Sequence, residues 1–255
     1  MESTKSLSEK TSFAIFFDDG GVLNDNSIRT PQWKALCGEF FHSRFGGDPE
    51  EWGEANQKAI QSLEIDGMKQ EEVDIDYVTY YANFKSEWVK KMFQGAGRSV
   101  PLKKEHERIF DTTIEYVWPK IHSAIPGIIE SIKNLYSKGF VLYTSTALPS
   151  REIKMVLEQM GIKHLFRGFY GPDLINTRKL NSNFFKAMFN DIKLVPKKAI
   201  VIEDRPRCIE NALNTGANAI QACITGEYPP QYPFYVENMH HLPKIIESII
   251  RTLDF

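Results

Sequence analysis

Groups suited to phosphate chemistry stand at four places in the chain. Asp18 follows an apolar, aromatic-rich run at 13–17, and the hydroxyl groups at 144–146 follow a second apolar run. Lys179 precedes a helical pattern, and the acidic pair at 203–204 follows another apolar run. A carboxylate nucleophile, hydroxyl donors, an ammonium and an acidic pair are the groups that handle phosphate with a divalent metal ion.

The segments around these groups predict an α/β fold. Short, continuously apolar runs are typical of strands buried on both faces, and they occur at 13–17, 140–143, 199–202 and 217–220. Helical patterns that end in glycine alternate with these runs, and they occupy 125–139, 151–161 and 207–216. The alternation predicts a parallel sheet with helices on both faces, whose ligands bind at the carboxyl ends of the strands.

A region of different character separates the first predicted strand from the others. Residues 26–122 show helical periodicity and no strand pattern, which predicts an inserted helical domain. Residues 1–25 and 123–255 are predicted to form the α/β core that carries the chemistry. The proline-rich segment 226–233 is interpreted as a surface connection.

Composition excludes several classes of partner. The chain has 255 residues, with 31 basic and 33 acidic side chains and a net charge of −2, so no basic excess indicates nucleic-acid binding. No apolar segment is long enough to predict a membrane span. Three dispersed cysteines, Cys37, Cys208 and Cys223, predict no disulfide framework and favour a cytoplasmic location. Oligomeric state has no signature in the sequence.

Four segments together resemble a known family. FFDDGGVLND, YTST, RKLNSNFF and IVIEDRPRCIENALNTGA resemble, in order and spacing, the four motifs of the haloacid dehalogenase-like hydrolase superfamily. The helical insertion at 26–122 resembles the cap domain of that family. The resemblance implies a Rossmann-like core and a hydrolase of a small phosphorylated molecule.

The resemblance also implies roles for individual residues. Asp18 would be the nucleophile, while Thr146, Lys179 and Gly21 would bind the phosphate group. Thr146 is preferred over Thr144 because of its distance from the glycine that ends the following helix. Thr144 and its neighbour Ser145 could instead be strand-end residues that bond to the backbone. Arg178 is the alternative to Lys179.

A magnesium site is implied at the same edge. Asp18, the Gly20 carbonyl and Asp204 would hold Mg²⁺, with Glu203 binding directly or through water. The physical reason agrees, because three carboxylates clustered at low dielectric repel one another unless a cation is present.

Two departures from the family pattern bear on activity. Phosphatases of the family carry a second Asp two residues after the nucleophile, where it protonates the leaving group and activates water; this chain has Gly20 there. Loss of such a group costs about 10²–10⁴-fold in rate, and strand geometry predicts that Asp19 points the opposite way. Cys208 replaces the last acid of the fourth motif.

Three functions are therefore predicted. The first is a magnesium-dependent phosphatase that acts through an aspartyl-phosphate. The second is cleavage of a carbon–halogen or carbon–phosphorus bond, which does not need the missing Asp; a phosphonate cleaver would need a cap lysine, for which Lys34, Lys58 and Lys85 are candidates. The third is a degenerate member that binds a phosphorylated ligand without turnover.

Overall fold

The structure, a computed structural model, describes residues 13–68 and 76–253. These residues form two compact units. One unit contains the described residues up to Asn26 and from Ser123 onward, and the other contains the described residues of Ser27–His122. Residues 1–12 of the predicted core lie outside the described part of the chain. No described helix combines the length and the apolar character that a membrane crossing requires.

The first unit is built on a parallel sheet. Its described strands lie in the order β3-β2-β1-β4-β5-β6, and all neighbours are parallel. Their bounds are β1 Ala14–Phe17, β2 Val141–Ser145, β3 Phe166–Tyr170, β4 Ala199–Glu203, β5 Asn218–Ala222 and β6 Tyr235–Val236. This is the Rossmann-like order, whose topological switch point lies between β1 and β4. The predicted α/β fold is confirmed; β3 and β6 were not among the predicted strands.

Helices accompany the sheet and make up the second unit. The helices that follow β1 and precede β2 are α1 Asn26–Phe45, α2 Pro49–Met68, α3 Tyr77–Gly95, α4 Lys103–Val117 and α5 Ile128–Ser137. The later helices are α6 Ser150–Gln159, α7 Pro172–Ile175, α8 Phe184–Asp191, α9 Pro206–Leu213 and α10 Leu242–Leu253. No described strand of the sheet comes from 27–122.

The central strands are buried on both faces. Phe16 of β1 and Val201 of β4 belong to one core cluster with Phe184 of α8. Ile15 and Phe17 point to the opposite face because side chains alternate along a strand, and they too are fully buried. Two buried faces require apolar residues at successive positions, which explains the uninterrupted apolar run at 13–17.

The chain leaves and re-enters the sheet unit at hydrogen-bonded positions. Asn24 pairs with Ala124 in an antiparallel bridge, and the Asp25 N–H donates to the Ser123 carbonyl at 2.8 Å. The Ser123 hydroxyl donates to Asn24 Oδ1 at 2.9 Å. These bonds fix the segment that follows the loop after β1.

Candidate active site

Asp18 lies directly after β1, at the switch point of the sheet. Its N–H donates to the Ile202 carbonyl at 3.1 Å, which extends the β1–β4 pairing by one residue. The preceding register pairs Phe17 with Ile202, so Asp18 and Glu203 lie side by side at the ends of neighbouring strands. Asp18 is buried, with 7% of its surface exposed.

A tight loop follows Asp18, and Asp19 holds it together. The Asp19 carbonyl accepts the N–H groups of Val22, Leu23 and Asn24 at 3.4, 2.8 and 2.9 Å. Its Oδ1 accepts the Asn24 side-chain amide at 2.7 Å. The Asp19 carboxylate therefore stabilises the loop.

Lys179 links two of the carboxylates. Its Nζ lies 2.5 Å from Asp18 Oδ1 and 2.6 Å from Glu203 Oε2. Lys179 is buried, whereas the alternative Arg178 is half-buried. The structure thus brings Lys179 to the predicted nucleophile.

The acidic residues form a compact oxygen cluster. Asp18, Glu203 and Asp204 each offer a carboxylate oxygen, and these oxygens lie within 4.8 Å of one another. Glu203 Oε1 accepts the N–H groups of Asp204 and Arg205, both at 3.1 Å. Among the described residues, Asp204 Oδ1 is buried and has no hydrogen-bond partner. A buried, unsatisfied carboxylate oxygen is costly, so this oxygen is suited to a cation.

Gly21 is required by the close approach of Asp204. Its φ is +76°, and a Cβ at this position would lie 2.2 Å from Asp204 Oδ2. Any other residue would collide with the acidic cluster and strain the backbone. The Gly21 N–H donates to the Asn24 carbonyl at 2.8 Å, so the phosphate contact expected of Gly21 stays a prediction.

Burial is the largest cause of the shifted pKa values of the three carboxyl groups in the cluster. Burial, followed by repulsion from Glu203, raises the pKa of Asp18 to about 7. Burial also raises the pKa of Glu203 and of Asp204. For Lys179, burial lowers the pKa, but attraction by Asp18 and Glu203 outweighs it and holds the pKa above its usual range. One ammonium does not balance three carboxylates, so a divalent cation would complete the neutralisation.

The hydroxyl groups lie at the end of β2. The Thr146 N–H donates to the Tyr170 carbonyl at 3.1 Å, and its Oγ1 accepts the Leu148 N–H at 3.1 Å. Accepting that bond leaves the Thr146 hydroxyl proton able to donate elsewhere. The Thr144 hydroxyl donates to the Tyr170 carbonyl at 3.3 Å, which is the backbone-bonding role considered for it. The same alternative is wrong for Ser145, because its buried hydroxyl has no hydrogen-bond partner among the described residues.

The two departures from the family pattern lie in this region. Gly20 forms a parallel bridge with Asn24; its carbonyl as a metal ligand stays a prediction. Cys208 on α9 is buried, and burial raises the pKa of its thiol, which is therefore neutral. A neutral thiol does not replace the charge of an acid beside Asp204.

Sequence reasoning missed two residues near the site. Arg205 follows Asp204 and is exposed, and its adjacency to the acidic pair was the signal that could have found it. Asp173 accepts the Ser150 N–H at 2.7 Å and the Ser150 hydroxyl at 2.5 Å. These bonds fix the start of α6, four residues after Thr146, and no sequence pattern links Asp173 to Ser150.

The chain thus has a Rossmann-like α/β sheet with a buried cluster of carboxylates and one ammonium at its switch point, the place where ligands bind in sheets of this kind. The family model described as haloacid dehalogenase-like hydrolase matches residues 56–222. The chain therefore belongs to the haloacid dehalogenase-like hydrolase family, and the predicted resemblance is confirmed. The match includes Lys179, Glu203 and Asp204; Asp18 precedes it and is placed by the sheet geometry.

Individual relatives are distant. A phosphoglycolate phosphatase of Vibrio cholerae is 26% identical over 118 residues, which are 46% of this chain and 52% of the relative. The chain thus spans about half the length of the curated relatives that it matches.

Solved structures share the fold over nearly the whole chain. The HAD-hydrolase YfnB of Bacillus subtilis superposes with a TM-score of 0.62 at 14% identity, covering 92% of this chain and 98% of YfnB. A 2-haloacid dehalogenase of Pseudomonas syringae has a TM-score of 0.63 at 15% identity, with the same coverage.

Proposed function

We propose that this protein is a magnesium-dependent phosphatase that hydrolyses a small phosphorylated metabolite through an aspartyl-phosphate on Asp18. The buried cluster carries the proposal: Asp18 is paired with Lys179 beside an unsatisfied oxygen of Asp204. Membership of the hydrolase family and the similarity to phosphoglycolate phosphatases support it.

The donor set fits magnesium. Mg²⁺ prefers oxygen ligands and is held by carboxylates together with substrate phosphate, and Asp18, Glu203, Asp204 and the Gly20 carbonyl would hold it. When bound, magnesium neutralises the negative charge shared by the carboxylates and the phosphoryl oxygens. The related fold of YfnB has been solved with magnesium bound.

Asp18 supplies the nucleophile in the first step. A carboxylate oxygen forms a bond to phosphorus, and the ester P–O bond breaks with its electron pair on the leaving oxygen. Lys179 opposes the rise in the pKa of Asp18 that burial causes, which favours the ionised nucleophile. Its ammonium also places positive charge beside the phosphoryl group, and the Thr146 hydroxyl donates to a phosphoryl oxygen. Water then attacks the aspartyl-phosphate, which releases phosphate and restores Asp18.

Gly20 limits the rate of this cycle. No carboxyl stands two residues after Asp18 to protonate the leaving oxygen or to take a proton from the attacking water. Both protons must then be exchanged with solvent or with another group, so we expect slow turnover and a long-lived intermediate.

A screen of phosphate esters, phosphonates and haloacids, with and without magnesium, tests the proposal. We expect phosphate release that requires magnesium and that falls by at least about 10³-fold in Asp18→Asn, because the nucleophile is lost. Asp19→Asn is the matched control, since it makes the same change one residue away and keeps an oxygen for the Asn24 contact. Equal activity of Asp18→Asn and wild type would refute the assigned nucleophile.

A second candidate is hydrolysis of a carbon–halogen bond. Gly20 favours it, because a halide leaving group needs no proton, and the fold matches that of a 2-haloacid dehalogenase. Halide release without magnesium in the same screen would support this candidate, and binding without release of any product would support a non-catalytic member. The cytoplasmic location stays a prediction.

A further inference from the structure

Arg205 lies at the same sheet edge as the proposed nucleophile. The β1–β4 register places Asp18 beside Glu203, and Arg205 follows Glu203 by two residues. The Arg205 N–H donates to Glu203 Oε1 at 3.1 Å, which fixes its backbone at the turn into α9. The side chain starts from a rigid position next to the acidic cluster.

The guanidinium of Arg205 has donors that the described residues do not use. The side chain is exposed, and its guanidinium forms no hydrogen bond or salt bridge to a described residue. It interacts electrostatically with Asp18, Asp204 and Tyr228. Lys179, by contrast, is buried between two carboxylates. Once a divalent cation balances the cluster, Arg205 is a cation with free donors beside the nucleophile.

The proline-rich segment 226–233 lies against the start of α9. The Tyr232 hydroxyl donates to the Pro206 carbonyl at 3.0 Å. Buried Gln221 donates to the Pro229 carbonyl at 3.0 Å and accepts the Gln231 N–H at 2.8 Å. The segment interpreted as a surface connection is therefore anchored to β5 and α9, next to Arg205.

We propose that Arg205 is a specificity-determining residue that binds a second anionic group of the substrate, a carboxylate or a second phosphate. A guanidinium donates two parallel hydrogen bonds to either group, and such charge-assisted pairs are strong and directional. The inference rests on the proposed phosphatase function and narrows its substrates to phosphate esters with a second negative charge close to the ester.

Binding of two inert probes to the full chain with magnesium tests Arg205 independently of turnover. 3-Phosphonopropionate carries a phosphonate and a carboxylate, whereas propylphosphonate has a methyl group in place of the carboxylate. Calorimetry should show that wild type prefers the first probe by about 10-fold, the scale of one charge-assisted pair. In Arg205→Gln the preference should fall to about 2-fold or less, with propylphosphonate affinity retained.

Arg207→Gln is the matched control, because Arg207 is also exposed, lies on α9 and loses the same charge. The proposal is overturned if Arg205→Gln keeps the wild-type preference, if Arg207→Gln loses it equally, or if wild type binds neither probe. Thermal unfolding of all three proteins checks that each is folded. Hydrolysis is measured separately, so a lack of phosphatase activity refutes the proposed function while the binding ratio still decides the role of Arg205.

Discussion

The two units of the molecule differ in whether their buried polar side chains have hydrogen-bond partners. In the helical unit, the Trp88 indole N–H donates to Asn56 Oδ1 at 3.1 Å. His106 is bonded at both ring nitrogens, to the Ser86 hydroxyl and the Pro101 carbonyl, each at 3.0 Å. Around these groups the core is aromatic. Buried polarity there is satisfied within the protein and stabilises the packing of helices.

In the sheet unit, some buried side-chain oxygens have no hydrogen-bond partner among the described residues. The described buried side-chain oxygens without a hydrogen-bond partner belong to Ser145, Glu203 and Asp204, although Glu203 Oε2 is ion-paired with Lys179. Ser145 is the last residue of β2, Glu203 is the last residue of β4, and Asp204 directly follows it. Native proteins satisfy nearly all such groups. Unsatisfied oxygens confined to one sheet edge therefore indicate a site that a ligand completes.

The largest expected effect is a loss of stability when the aromatic core of the helical unit is disrupted. Trp52 is buried, with its ring 4.9 Å from Phe41 and 5.1 Å from Phe93. Trp52→Ala should lower the free energy of unfolding by about 3–5 kcal/mol, because it leaves a large cavity. Urea denaturation measures this loss. Exposed Val78→Ala, in the same unit, should change it by less than about 0.5 kcal/mol. A similar small change for Trp52→Ala would mean that this core is not closely packed.

The next largest effect is a loss of magnesium affinity when a carboxylate of the acidic cluster in the sheet unit is removed. Asp204→Asn removes one negative charge where a cation is expected, so magnesium affinity should fall by about 10-fold or more. Isothermal calorimetry with magnesium alone measures it. Asp173→Asn is the control, since that carboxylate is used to bind Ser150 and lies outside the cluster. Equal magnesium affinity of wild type and Asp204→Asn would contradict the metal site.

A third prediction is that Gly20→Asp supplies the proton-transfer group that the site lacks. It restores a carboxyl two residues after the nucleophile, and phosphate release under saturating magnesium should rise by about tenfold. Gly20 does not have a positive φ, unlike Gly21, so a residue with a Cβ is compatible with its backbone. A fast wild-type phosphatase whose rate is unchanged by Gly20→Asp would show that another group already acts as the base.

The smallest expected effect is on the pH dependence of stability. Burial and repulsion from Glu203 raise the pKa of folded Asp18 from 3.8 to about 7, so the folded state holds a proton that the unfolded state releases. The stability from this group is complete below pH 3.8 and is lost as pH rises through 7. With EDTA present, the melting temperature of wild type relative to Asp18→Asn should therefore fall by a few degrees between pH 5 and about 8. A constant difference would show that the folded pKa is not raised.

The strands at the centre of the sheet could be predicted from the sequence. β1 and β4 lie in the middle of the sheet, so both faces demand apolar side chains and their runs were visible. β3 was missed because it is an edge strand: Arg167 is exposed and Gly168 and Phe169 are half-buried, which interrupts the apolar run. β6 has two residues, too few for any periodicity.

The order of residues along the chain determined the α/β class, the nucleophile candidate and the acidic pair, because backbone topology forces strand ends to one edge of a parallel sheet. Tertiary packing decided which charges meet. Lys179 reaches Asp18 across 161 positions of sequence, as the residue numbers show, and Gly21 is fixed by the carboxylate of Asp204. The exposed guanidinium of Arg205 and the anchored segment 226–233 also depend on contacts between distant residues, which a linear pattern does not encode.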